Sequence, residues 1–412
     1  MRQELLTNRP GDGDFGCSPD TLLAATMAVG YRRPIFRRRM GLDGYRLRHS
    51  REKPAMHDSN NDFPVPASAA PAAQPHPLRF EFVGSGSEYF RIWIVNALLT
   101  IVTLGIYSPW AKVRTMQYFY RNTRLDNASF DYHGRPTAIL KGRAIVFALA
   151  AVFQLAGHVS MLLSLALGLA LALVFPLLLV RSLRFRMANS SYRGLRFAFT
   201  GGDAEAYKVF LLWPALAVLT LYALAPLAHQ RFKRYQHNHT RFGTAPFAID
   251  AAAGGFYGVY LRAFGMMVAV GVLAAVVVGV LGHALGGSAG GAAMAFLAAV
   301  AGFYVALLSI GPFFMARLQN LVWNHTTLAP HAFRSEVRAG RLFFIFFTNL
   351  IATVFTLGLF MPFAKVRSTR YRVESMTMLA AAPLDAFVAG ETQQVGALGD
   401  AAVDWYDIDI AL

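Results

Sequence analysis

The chain has 412 residues, 55% of them hydrophobic and 15% charged, with a formal net charge of +16. The apolar share exceeds and the charged share falls below those of ordinary soluble domains, which leaves lipid as the natural place for the excess. The cations lie beside apolar runs, so positive-inside retention and anionic headgroups explain them better than nucleic acid, and the single cysteine, Cys17, excludes a disulfide framework and a thiolate metal site.

Taken in chain order, residues 1–77 read as a disordered lead that is basic at first and then Pro/Ala-rich from Pro64 to Pro77. Residues 1–55, with 11 basic and 6 acidic residues, read either as an upstream start-site artefact ahead of Met56 or as a basic arm on the membrane surface. Residues 78–375 read as a polytopic membrane domain. Its apolar segments run over Ile92–Trp110, Ala144–Val180, Val209–Ala228, Phe264–Gly282, Ala292–Phe314 and Leu342–Met361. The second would be about 55 Å long as one helix, more than a bilayer holds, so it reads as a helical hairpin reversing near Gly157-His158. The fourth and fifth segments form the equivalent pair around Gly282-His283. Residues 376–412 read as an acidic tail, with Asp400, Asp404, Asp407 and Asp409 around Trp405 and Tyr406.

The expected fold is therefore an all-α integral membrane protein. It has about seven hydrophobic helical segments in internal repeats, ordered single, hairpin, single, hairpin, single. A proline at the end of an apolar segment recurs with arginine five residues on, as Pro109/Arg114, Pro176/Arg181, Pro226/Arg231, Pro312/Arg317 and Pro362/Arg367. Around the single segments the element extends to Tyr118, Tyr235 and Tyr371, and to Lys112 and Lys365 in the first and last copies. The direct reading is a collar in which proline ends the helix and the cation and ring hold it at headgroup depth. Positive-inside placement then conflicts with full crossing by Val209–Ala228, because basic stretches flank it on both sides. The single segments either span regardless or re-enter, breaking at Thr-Leu-Gly.

Chemistry-bearing residues are few. Asn96, Thr103, Asn349 and Thr356 lie within single segments and either bond neighbouring helices or border a polar cavity. His237, His239 and His325 lack carboxylates or cysteines at ligand spacing and read as surface histidines. The glycine-rich run Gly286-Gly287-Ser288-Ala289-Gly290-Gly291 reads as a hairpin loop, since no lysine-bearing helix follows it. No catalytic, cofactor or metal site is expected, and the chain reads as a non-enzyme with no nucleic-acid partner.

The run Gly84-Ser85-Gly86-Ser87-Glu88-Tyr89-Phe90-Arg91, followed by Asn96 to Arg114 and by Asn122, Thr123, Phe130 and Tyr132, resembles the bacterial YjgN family of inner-membrane proteins over about residues 79–375. The resemblance implies a multi-pass location in the cytoplasmic membrane and supplies no activity or catalytic residue to carry over. A passive transporter or channel for a small solute is the leading reading, with a cavity at Asn96, Thr103, Asn349 and Thr356 as its mark. A scaffold or lipid-binding protein that holds anionic headgroups at the collars is the alternative.

Overall fold

The computed structural model describes residues 75–284 and 289–395. The N-terminal lead with Cys17, the loop residues Gly286, Gly287 and Ser288, and the acidic cluster from Asp400 to Asp409 lie outside them.

The chain is not all-α. Among the described residues, ten short antiparallel strands close into a barrel in the order β1-β10-β9-β8-β7-β6-β5-β4-β3-β2. They are β1 His76–Phe82, β2 Thr123–Leu125, β3 Ala128–Tyr132, β4 Ser190–Tyr192, β5 Leu195–Phe199, β6 Thr240–Phe242, β7 Ala245–Ile249, β8 Thr326–Leu328, β9 His331–Ser335 and β10 Met376–Ala380. β1 closes the ring by pairing with β10 through His76–Arg79 and with β2 through Phe80–Phe82. The expected seven segments resolve differently around this ring. Five helical hairpins rise from one rim, inserted between β1 and β2, β3 and β4, β5 and β6, β7 and β8, and β9 and β10, while tight turns join the strands at the other rim.

The strands alternate as half-buried strands must, buried in and exposed out. Phe80, Phe130, Tyr192, Phe197, Phe242, Phe247 and Phe333 point inward, whereas Arg79, Arg124, Arg196 and Arg334 face outward. The inner rings form a continuous belt, from Phe333 to Phe80 at 6.5 Å, Phe80 to Phe130 at 6.4 Å, Phe130 to Tyr192 at 4.7 Å, Tyr192 to Phe242 at 6.2 Å and Phe242 to Phe197 at 5.0 Å. Such a lumen is a packed core and not a pore.

The second and fourth hairpins are long. The second is Pro136–Val159 and Met161–Ala188, reversing at Ser160, close to the expected Gly157-His158; the fourth is Ala253–Ala284 and Ala289–Trp323. These four helices are the ones among the described residues long and apolar enough to cross a membrane. The single segments are short hairpins instead. The first is Gly86–Val102 and Ser108–Arg121, and the fifth is Ala339–Phe355 and Met361–Glu374. The third goes out through Asp203–Tyr207, a π-helical turn Lys208–Leu212 and Trp213–Leu219, and returns through Ala225–Asn238. Pro214 has no N–H to offer the preceding turn, which fits a wider turn there.

The residues expected to form a solvated tail take two ordered roles. Met376–Ala380 is the barrel's closing strand, and residues 384–395 form a helix against the turn rim. Phe387 stacks on Phe242 at 6.2 Å and meets His331 edge-on at 4.5 Å, closing that end.

Candidate functional site

The tips of the short hairpins are built one way three times. The Thr103 hydroxyl donates to the Leu99 carbonyl at 2.6 Å and accepts the Tyr107 N–H at 3.0 Å. Thr220 does the same with Leu216 and Leu224 at 2.8 and 3.2 Å, and Thr356 with Ala352 and Phe360 at 2.7 and 3.0 Å. Each clamp holds a break of two left-handed residues, Leu104-Gly105, Leu221-Tyr222 and Leu357-Gly358. Leu104 and Leu357 at these tips are 93% and 94% exposed, a placement that only an apolar medium makes favourable.

Thr103 and Thr356 are thus turn clamps and not cavity linings. Asn349 is buried, donating to the Ala364 carbonyl at 3.2 Å and accepting from Arg367 at 3.2 Å, and Asn96 is buried within the first hairpin. Thr103, Asn349 and Thr356 bond within their own hairpins, the Asn96 Oδ1 is buried without a hydrogen-bond partner among the described residues, and none of the four lines the cleft described below. Thr220 went unnoticed in the sequence because its turn lacks the glycine of the other two.

The collar residues also take other roles. Pro109, Pro226 and Pro362 begin the returning helices of the short hairpins, where a missing N–H costs nothing, and Pro176 and Pro312 lie inside long helices. All five are buried. The recurrent tyrosines fasten each hairpin base. Tyr118 donates to the Ser85 carbonyl at 2.7 Å, Tyr235 to the Gly202 carbonyl at 3.0 Å, and the Arg338 N–H donates to the Tyr371 hydroxyl at 2.8 Å. Arg181, Arg231, Arg317 and Arg367 are exposed, Arg231 lying 5.4 Å over the Trp213 ring and Arg317 5.5 Å over Phe313. Arg114 and Lys112 are half-buried, and the Lys365 ammonium sits 5.1 Å over the Phe119 ring.

Between the second and third hairpins lies an apolar cleft of about 580 Å³, lined by Phe175, Val209, Pro214, Val218, Tyr222 and Phe232 among others. Exposed cations adjoin these linings in sequence. Lys208 precedes Val209, Arg231 precedes Phe232, and Arg181 lies further along the helix of Phe175, toward the barrel. The lining itself is apolar apart from His229 and Tyr222, and the cations stand on the same two hairpins outside it.

A second polar feature lies on the returning helices of the third, fourth and fifth hairpins. Lys233 donates to the Gln236 side chain at 3.2 Å, and the Arg372 Nε donates to the Gln319 side chain at 2.8 Å. Burial first, and then the guanidiniums of Arg186 and Arg372, pull the Lys233 ammonium down to about 8. His237 packs edge-on to Trp323 at 5.0 Å and is pushed down to about 3 by burial and by Lys233. It is a core histidine and not the surface residue expected, while His239 pairs with Glu205 at 3.2 Å. Among the described residues no group of His, Cys, Asp or Glu is placed to hold a metal ion. Sequence reading passed over Lys233 and Arg372 because each looks like one more collar charge until its glutamine partner is known.

The family model described as "Bacterial protein of unknown function (DUF898)" matches residues 77–405. The inner membrane protein YjgN of Salmonella typhimurium is 25% identical over 335 residues, which cover 69% of this chain and 84% of the relative. Proteins of the same name from Escherichia coli O157:H7 and Escherichia coli K12 are 30% identical over 141 residues and 35% identical over 147, about a third of each chain. No solved structure matches the chain.

Proposed function

This chain belongs to the family of the YjgN inner-membrane proteins, DUF898, and from that premise we propose that it is an inner-membrane protein that binds an anionic phospholipid between its second and third hairpins. The observation that carries this reading is the apolar cleft of about 580 Å³, on whose two hairpins the exposed cations Arg181, Lys208 and Arg231 also stand. An acyl chain removes its apolar lining from water or competing lipid, and a phosphate meets the exposed cations at headgroup depth. The four long helices cross the bilayer, and the three short hairpins dip into it and return, their helices at most about 25 Å long. All five hairpins leave one rim, so the barrel with its outward arginines lies on one face, the cytoplasmic one by the positive-inside rule.

The test is the lipid content of the full chain extracted in an uncharged detergent and measured by native mass spectrometry. Phosphatidylglycerol retained by the wild type and lost in Arg181→Gln/Arg231→Gln and in Val218→Trp, which fills the cleft, supports the reading. Equal retention in all three sinks it.

A passive transporter or channel for a small solute is the second reading, favoured by the polar pairs Lys233–Gln236 and Arg372–Gln319 on the returning helices. It requires the aromatic barrel core to open. Solute flux into vesicles carrying the full chain, compared with empty vesicles, decides it.

A further inference from the structure

The wall of the cleft between the second and third hairpins is hydrocarbon and aromatic except at two side chains, Tyr222 at the hairpin tip and His229 about one turn inside the returning helix. The fourth hairpin holds the His229 ring from one side. Its Nδ1 stands 3.0 Å from the Tyr260 hydroxyl, and its centroid lies 5.6 Å from that of Phe256, 6.1 Å from that of Tyr260 and 6.4 Å from that of Phe314. All three rings belong to Ala253–Ala284 and Ala289–Trp323. The two nitrogens of an imidazole point to nearly opposite sides of its ring, so with Nδ1 turned to the fourth hairpin, Nε2 is turned to the cleft. Among the described residues Nε2 has no hydrogen-bond partner, and it is not one of the polar atoms that packing seals off.

The place of the proton on this ring follows from counting unmet groups. If Nδ1 carries it, Nδ1–H donates to the Tyr260 oxygen, and both the Tyr260 O–H and the Nε2 lone pair are left over in apolar surroundings. If the Tyr260 hydroxyl donates to Nδ1, the proton sits on Nε2 and that single N–H is left over. Each unmet group in such a place costs free energy, so the second arrangement wins. The partner on the other ring nitrogen thereby fixes what the cleft is offered, which is one directed donor in an apolar wall.

The depth of that donor suits one part of a lipid. His229 lies two residues nearer the hairpin tip than Arg231, about 3 Å along the helix axis. With Arg231 at the level of a phosphate, the next groups toward the tails are the ester carbonyls of the glycerol backbone, neutral acceptors at the head of each acyl chain. We propose that the His229 Nε2–H donates to an ester carbonyl of the lipid in the cleft, with Tyr260 as the positioning residue that keeps the proton on that nitrogen. This inference rests on the lipid reading above and goes further, because it selects an ester-linked glycerolipid over an ether-linked one of the same headgroup and tails.

The full chain in uncharged detergent is offered equal amounts of diester phosphatidylglycerol and of its diether analogue of the same chain length, and the lipid it retains is identified by native mass spectrometry. Headgroup and tails are shared, so only the carbonyls differ. The wild type should favour the diester by about fivefold, the value of one hydrogen bond. His229→Phe keeps an aromatic ring without a donor and should bring the ratio to unity, Tyr260→Phe should lower it, and His229→Gln, whose amide can donate, should keep part of it. Lost packing alone weakens retention of both lipids together and leaves the ratio where it was. Where a variant does not fold, the wild type alone answers, because equal retention of the two lipids overturns the proposal and leaves the lipid reading standing. A preference that persists in His229→Phe overturns it as well. Retention of neither lipid by the wild type overturns the proposal and the lipid reading together.

Discussion

One carboxylate oxygen of Glu391 accepts three hydrogen bonds from the turn between β6 and β7, two from Thr244, at 2.6 Å from its N–H and 2.7 Å from its hydroxyl, and one from the Ala245 N–H at 2.9 Å. Glu391 is 8% exposed, so the charge is satisfied where water is scarce. Glu391→Ala leaves the buried Ala245 N–H and the part-buried Thr244 N–H unmet and should cost about 2 kcal/mol of local stability. Hydrogen exchange should then quicken in residues 384–395 while the barrel strands stay protected. Unchanged exchange in that helix defeats the expectation.

The tyrosines at the hairpin bases act on separate hairpins. Tyr118→Phe and Tyr235→Phe each remove a hydroxyl that donates to a carbonyl, at 2.7 and 3.0 Å. Each should lower stability by about 1 kcal/mol, and the double variant should show the sum because the sites share no partner. Chemical unfolding in detergent, followed by tryptophan fluorescence, reads both.

Acid should loosen the barrel mouth. Burial, aided by Lys233, holds His237 near 3 in the folded chain against 6.5 unfolded. The folded state therefore resists a proton that the unfolded state accepts, and this contribution is full above about pH 6.5 and is lost progressively below it. At pH 4.5 the loss is roughly 3 kcal/mol for this residue. His237→Gln should flatten that part of the stability profile between pH 7 and 4.5, and an unchanged slope counts against it.

The short hairpins should not reach the outer face. In a Cys17-free chain, Val159→Cys at the tip of the second hairpin should react with an impermeant maleimide added to the periplasmic side. Leu104→Cys, Leu221→Cys and Leu357→Cys should not. Labelling of all four would show that the short hairpins cross completely.

Gly105 and Gly358 hold φ of +89° and +94°, where L side chains are strained. Gly105→Val should cost about 1–2 kcal/mol. No atom of the folded chain stands within 4 Å of an added Cβ there, so the cost is conformational rather than steric, and Gly105→Asn should recover part of it. Thermal midpoints of the two variants make the comparison.

The amino-acid sequence alone determined what is local. Long apolar runs need lipid, the proline-arginine-tyrosine element recurs, and basic residues flank each apolar segment, all of which follow from composition and spacing within a few dozen residues. The barrel escaped because its strands hold three to seven residues, too short for alternation to stand out, and their outward arginines look like membrane collars. Asp126-Asn127, Arg193-Gly194 and Gly243-Thr244 between alternating residues were the turn signals that could have revealed it. Tertiary structure alone decided the rest. Strand pairing from β1 to β10 joins residues some three hundred positions apart, and only that closure sets the five hairpins around one aromatic core. A cation's neighbours across a ring are set by the geometry of closure, which no run of consecutive residues encodes by itself.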